Sequence, residues 1–70
     1  MNIEYLVKMA NQIEAFFKAQ TNRDLAIDGV ADHIKRFWDP RMRQQIKAHV
    51  DTGGAGLGEI AIEAVKRLLR

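Results

Sequence analysis

Cysteine is absent from this 70-residue chain, and proline, tryptophan and tyrosine occur once each. Without thiols there is no disulfide to staple a small fold, no thiolate metal ligand and no cysteine nucleophile. Serine is absent too, so the hydroxyls are Thr21, Thr52 and the phenol of Tyr5. His33 and His49 are the only imidazoles, and their surroundings lack the spacing of a structural zinc site. No apolar run approaches the roughly 20 residues that cross a bilayer. Residues 1–10 carry Glu4 and Lys8 and lack a signal-peptide core, so the expectation is a soluble, cytoplasmic chain. Seventy residues make one domain at most. Such a chain buries only about 60% of its unfolded surface, so its core is marginal and a partner or self-association is the natural supplement.

What is present is helical periodicity. Ile3, Leu6, Ala10, Ile13 and Phe17 recur at helix spacing, with Val7 and Phe16 widening the stripe, which predicts a helix over 3–19 behind an Asn2 cap. Glu4–Lys8 and Glu14–Lys18 stand as i,i+4 pairs on it. Gln20-Thr21-Asn22 is a polar break in which Thr21 or Asn22 can cap the next segment. Over 23–37, Ile27, Val30, Ile34 and Phe37 share a face, Ala26 and His33 border it, and Asp24, Asp28 and Asp32 line the outside. Gly29 in mid-helix costs roughly 1 kcal/mol against Ala, which either a close approach to another helix explains or the helix simply tolerates. A third helix over 40–50 turns Met42, Ile46 and either His49 or Val50 inward. The run 51–56 reads as its stop and a mobile connection, and Leu57 to Leu69 as a fourth helix with Arg67 and Arg70 at its C-terminus. No segment alternates with period two. The predicted fold is an all-α bundle of four helices forming a single domain over 1–70, the third helix short.

The densest chemistry lies at Phe37-Trp38-Asp39-Pro40-Arg41-Met42-Arg43. An Asp side chain can accept from orphan N–H groups, and Pro in the first helical position loses no needed donor, so Asp39-Pro40 starts a helix. Pro40 also pushes its predecessor out of the α region, stopping the earlier helix near Trp38. The result is a corner with two large aromatics and two guanidiniums, a composition enriched where proteins bind one another but equally that of a structural corner whose Trp fills the core and whose Arg residues are solvated. Between Lys35 and Lys47 five cations face Asp39 alone, a local excess of +4 within a net charge of +2.

Other readings of these residues are weaker. Gly53-Gly-Ala-Gly-Leu-Gly58 lacks both the preceding strand and the Gly-Lys-Ser/Thr of a phosphate loop. Asp32 and His33 are adjacent on a helix and do not face each other, so they form no dyad. Catalysis, cofactor binding and metal binding are therefore not expected. The runner-up is nucleic-acid binding through Lys35 to Lys47, with Arg43, Gln44 and Lys47 offered to a groove. An aromatic turn and the acidic outer face of the second helix argue against it.

Several stretches carry a family resemblance. They are Met9-Ala-Asn-Gln-Ile13 with Phe16-Phe17, and Gly29-Val-Ala-Asp-His-Ile34 running into the Phe37 to Arg43 string. His49, Gly53-Gly-Ala-Gly-Leu57 and Glu63-Ala-Val65 complete the set. On these residues the chain resembles the small delta subunit of NAD-dependent, molybdenum- or tungsten-containing formate dehydrogenases. It departs from that pattern at Gly58-Glu59, where an acidic residue followed by Pro is expected. The resemblance implies an accessory role. In such enzymes formate is oxidised at a pterin-bound metal in the large subunit, and electrons pass through iron–sulfur centres to flavin and NAD. The delta subunit is expected to hold none of these cofactors and to help the complex associate, stay together or mature. Its partner site is expected at His33, Phe37, Trp38, Asp39, Pro40, Arg41, Met42 and Arg43. There Asp39 and Pro40 set the corner, one aromatic packs inside while the other faces the partner, and the two Arg meet acidic groups. The expected partners are the larger dehydrogenase subunits, with homo-oligomers when the chain is isolated.

Overall fold

Three of the four helices begin on a cap supplied by the residue just before them. In the computed structural model, which describes residues 2–68, α1 runs Ile3–Gln20, α2 Arg23–Phe37, α3 Pro40–Asp51 and α4 Glu59–Leu68. Asn2 Oδ1 accepts from the Glu4 amide at 2.8 Å and Asn22 Oδ1 from the Leu25 amide at 3.0 Å. Asp39 Oδ1 accepts from the Met42 amide at 2.9 Å, with Pro40 in the first helical position. Each bond satisfies one of the donors a helix start leaves unpaired.

The fourth start is built differently. Gly58 has no side chain to offer, and α1 supplies the cap from across the fold. Glu14 Oε1 accepts from the Ala61 amide at 2.7 Å, and Asn11 Oδ1 accepts from the Gly58 amide at 2.9 Å. A Cβ at residue 58 would collide with the Glu14 carboxylate, so the glycine is what lets that carboxylate reach the helix end. The expected Glu14–Lys18 pair is consequently not formed, because the carboxylate is turned to α4. The Glu4–Lys8 pair is likewise absent among the described residues.

The link 52–58 is pinned rather than loose. Gly54 N donates to His49 O and Gly53 N to Val50 O, a Schellman closure in which Gly53 sits at φ 114° and Gly54 at φ 67°. His49 Nε2 donates to Ala55 O at 2.7 Å, and Asn11 Nδ2 to Gly56 O at 2.8 Å. Leu57, expected inside the fourth helix, belongs to this link and packs its side chain on the core. The helix starts two residues later than its apolar spacing suggests. Its predicted last residue, Leu69, and Arg70 lie outside the described residues.

Four helices thus form an all-α bundle, with α4 packed mainly on α2 and α1 laid across both. Leu6, Ile27, Val30, Ile34, Ile46 and Val65 are its largest fully buried side chains. Wholly buried Ala10, Ala26, Ala61 and Ala64 let the backbones approach closely. Gly29 serves the same end: a Cβ there would enter the Phe17 ring, which lies against the α2 backbone.

Two aromatics assigned to the core by spacing are outside it. Phe37 is 71% exposed and Phe16 60% exposed. Phe37 is the last residue of α2, beyond the reach of the opposing helices. Trp38, in extended conformation at φ −90° and ψ 140°, turns back into the core and takes the place Phe37 would have filled. Phe16 lies on the far edge of the α1 stripe, where no further element covers it.

Candidate functional site

The corner joins α2 to α3 at near-minimal length: Trp38 and Asp39 alone separate the two helices. Trp38 is 3% exposed and anchors the corner from within. Asp39 is occupied as the α3 cap. Arg43 reaches back along the corner, where its Nη1 donates to Trp38 O at 2.5 Å and to Lys35 O at 3.2 Å. Those carbonyls belong to the unpaired end of α2, and a guanidinium there also meets the negative end of the helix dipole. Met42 is half-buried against the core. Of the eight expected site residues, Trp38, Asp39, Met42 and Arg43 therefore build the corner.

Of the other four, Phe37, Pro40 and Arg41 are exposed and His33 is half-buried. Phe37 stands out into solvent with His33 one turn below it, their rings 4.7 Å apart and tilted by 40°. Pro40 and Arg41 open α3. Arg41 and Lys35 have no ion-pair partner among the described residues, whereas Arg36 is bridged to Asp32 at 3.1 Å and Lys47 to Asp51 at 3.7 Å. The cationic excess read from the sequence is thus partly neutralised by carboxylates just outside the counted window. What remains is a small positive site around an aromatic. Arg43 and Lys47, offered above to a nucleic-acid groove, are both committed to neighbours in the fold.

Sequence reading missed the surface that continues from this corner. Met9, Gln12, Ile13, Phe16 and Phe17 of α1, with His33 and Trp38, line an open groove of about 380 Å³ whose walls are mostly apolar. Phe16 stands edge-on to Phe17, with ring centroids 5.2 Å apart. The signal was present in the spacing. Met9, Gln12 and Phe16 recur at helical intervals one strip away from Leu6 and Ala10, and a stripe this wide exceeds what one neighbouring helix can cover. A second cleft, of about 300 Å³, is lined by Glu14, Lys18, Arg23 and Glu59 among others, and so carries charges of both signs.

A comparison with family profiles matches residues 5–65 to the NADH-dependent formate dehydrogenase delta subunit FdsD. The chain belongs to that delta-subunit family. No curated protein and no solved structure matches it. The matched span contains the whole corner, the groove and the α1 residues that cap α4. No described helix is long and apolar enough to cross a membrane.

Proposed function

We propose that this delta subunit is a non-catalytic accessory protein that docks on a larger formate dehydrogenase subunit through the outer side of the α2–α3 corner. The observation that carries this reading is the pairing of two adjacent aromatics with opposite fates. Trp38 is fixed inside while Phe37 is held out in solvent against His33, with the exposed, unpaired Arg41 four residues on in the chain. A large ring presented by a rigid corner that also carries a free guanidinium is the composition of a binding hot spot. Polar side chains at the corner and elsewhere in the fold have structural tasks: Asp39 and Glu14 cap helices, Arg43 closes α2, and His49 holds the link before α4. The role is association, stability or maturation of the complex in the cytoplasm, and the reaction chemistry belongs to the larger subunits.

The test is co-purification. A tagged chain carrying Phe37→Ala and Arg41→Ala, co-expressed with the larger subunits, is expected to retain at least about tenfold less of them than the parent, since hot-spot truncations cost on the order of 2 kcal/mol each. Both side chains are exposed, so circular dichroism and the unfolding midpoint should match the parent. Full retention of the dehydrogenase by the folded double variant would remove the corner from the interface.

A further inference from the structure

We infer that the groove between α1 and the α2–α3 corner receives one amphipathic helix of a larger subunit, apolar on its buried side and carboxylate-bearing on its flanks. The inference rests on the docking role proposed above and specifies the chemistry of what is gripped. The groove is floored by Ile13, Phe17 and Trp38 and walled by Phe16 and His33, with Phe37 at its mouth. None of these carries a formal carboxylate or ammonium charge. Among the described residues the chain has no strand, so it offers no sheet edge for an extended segment to pair with. An amphipathic helix that lays its apolar face into a hydrophobic groove docks by such side-chain insertion. From Met9 to Phe16 the groove wall runs about 10 Å, two helical turns, which matches anchors at i, i+4 and i+7 of an incoming helix.

Charge decides between the possible occupants. Lys8, one turn before Gln12 on α1, and Arg41 at the corner have no ion-pair partner among the described residues. Of the carboxylates flanking the corner, Asp32 is paired with Arg36 and Asp39 accepts from the Met42 amide. Asp39 keeps its charge while capping α3, so the two cations Lys8 and Arg41 less that one carboxylate leave the rim at +1 around a neutral floor. A second copy seated symmetrically would bring its own Lys8 and Arg41 against these, with like charges meeting. An acidic-flanked helix meets them with opposite sign.

Site-specific photocrosslinking of the assembled complex tests this. p-Benzoylphenylalanine replaces Phe16 in one variant and Ala55, in the link beyond the far end of α3, in another. Each is co-expressed with the larger subunits and irradiated after purification. The expected result is an adduct from position 16 to a larger subunit, mapped to a helical peptide bearing Asp or Glu, and little from position 55. Adducts from 55 alone in an intact complex overturn the groove assignment and leave the docking role standing. An adduct from 16 to another copy of this chain, or to a basic peptide, overturns it as well. If the unsubstituted chain fails to co-purify at all, both readings fall together. A second arm uses Lys8→Glu with Arg41→Glu, both exposed positions. Affinity should drop about thirtyfold at low salt, with the loss shrinking as salt rises, and an unchanged affinity would refute the charge complementarity.

Discussion

Glu14 carries the least visible task in the chain. It sits mid-way along α1, where its spacing to Lys18 suggests a surface ion pair, yet its carboxylate closes a helix end 47 residues away in sequence. No local pattern could reveal that, because the acceptor and donor meet only after α4 folds back. The departure from the family's acidic-Pro pattern at Gly58-Glu59 was legible; the cap that α1 supplies there was not. Glu14→Ala should destabilise the fold by about 1 kcal/mol, the usual worth of an N-cap. Glu14→Gln, which keeps an acceptor oxygen and loses only the charge–dipole part, should cost less than half as much. Urea unfolding of both variants measures this; equal costs would show that charge, not the hydrogen bond, dominates. Gly29 gives a second case at this scale. Its mid-helix position allowed either a close approach or a glycine merely tolerated; the Phe17 ring, which decides for the first, was not legible. Gly29→Ala should gain roughly 1 kcal/mol of helix propensity and lose about 1–3 kcal/mol to the displaced ring, a net destabilisation. Adding Phe17→Leu should remove much of that added penalty, and the same unfolding curves would read it.

At the scale of elements, the helices were legible because each start carries its own cap and each face its own spacing. Asn2, Asn22 and Asp39-Pro40 mark three starts to within a residue. The fourth start was misplaced by two residues because Leu57 continues the apolar rhythm while the chain around it is still turning through Gly54 and Gly56. Periodicity reports which side chains reach the core, not which backbone is helical. The corner shows the same limit: spacing put Phe37 inside, but the pre-proline constraint ends α2 there and hands the core position to Trp38. This inversion predicts opposite outcomes for neighbouring truncations. Trp38→Ala should cost about 3–5 kcal/mol, a large share of the total stability of roughly 4–10 kcal/mol expected for so short a chain. Phe37→Ala should change stability by less than about 0.5 kcal/mol. Arg43→Met, which keeps the aliphatic stem and deletes the donors to Trp38 O and Lys35 O, should fall between them at about 1–2 kcal/mol. Thermal or urea unfolding orders the three, and a stable Trp38→Ala variant would contradict the anchoring role given to that ring.

For the whole molecule, the question is what an isolated copy does with its uncovered face. The fold is small, about 29 × 21 × 18 Å, and Tyr5, Phe16, Leu25 and Phe37 are all more than half exposed. The groove between α1 and the corner joins two of these rings. An apolar surface of this kind draws copies together when its partner is absent. Copies meeting groove to groove would bring their positive rims into contact, so repulsion opposes the apolar attraction. Added salt screens that repulsion, since the Debye length falls from roughly 10 Å at 0.1 M to about 3 Å at 1 M. Self-association of the isolated chain is therefore expected to strengthen as sodium chloride rises. Docking to an acidic helix of the larger subunit is attractive in both its terms, and salt should weaken it. The two equilibria thus respond to one variable with opposite sign. Light scattering on the isolated chain and a binding titration with the larger subunits, each from 0.05 M to about 1 M salt, compare the slopes directly. Phe16→Ser should flatten the first curve and lower the second throughout, because the ring serves both contacts. Slopes of the same sign would mean that the charged rim does not border the apolar face that binds.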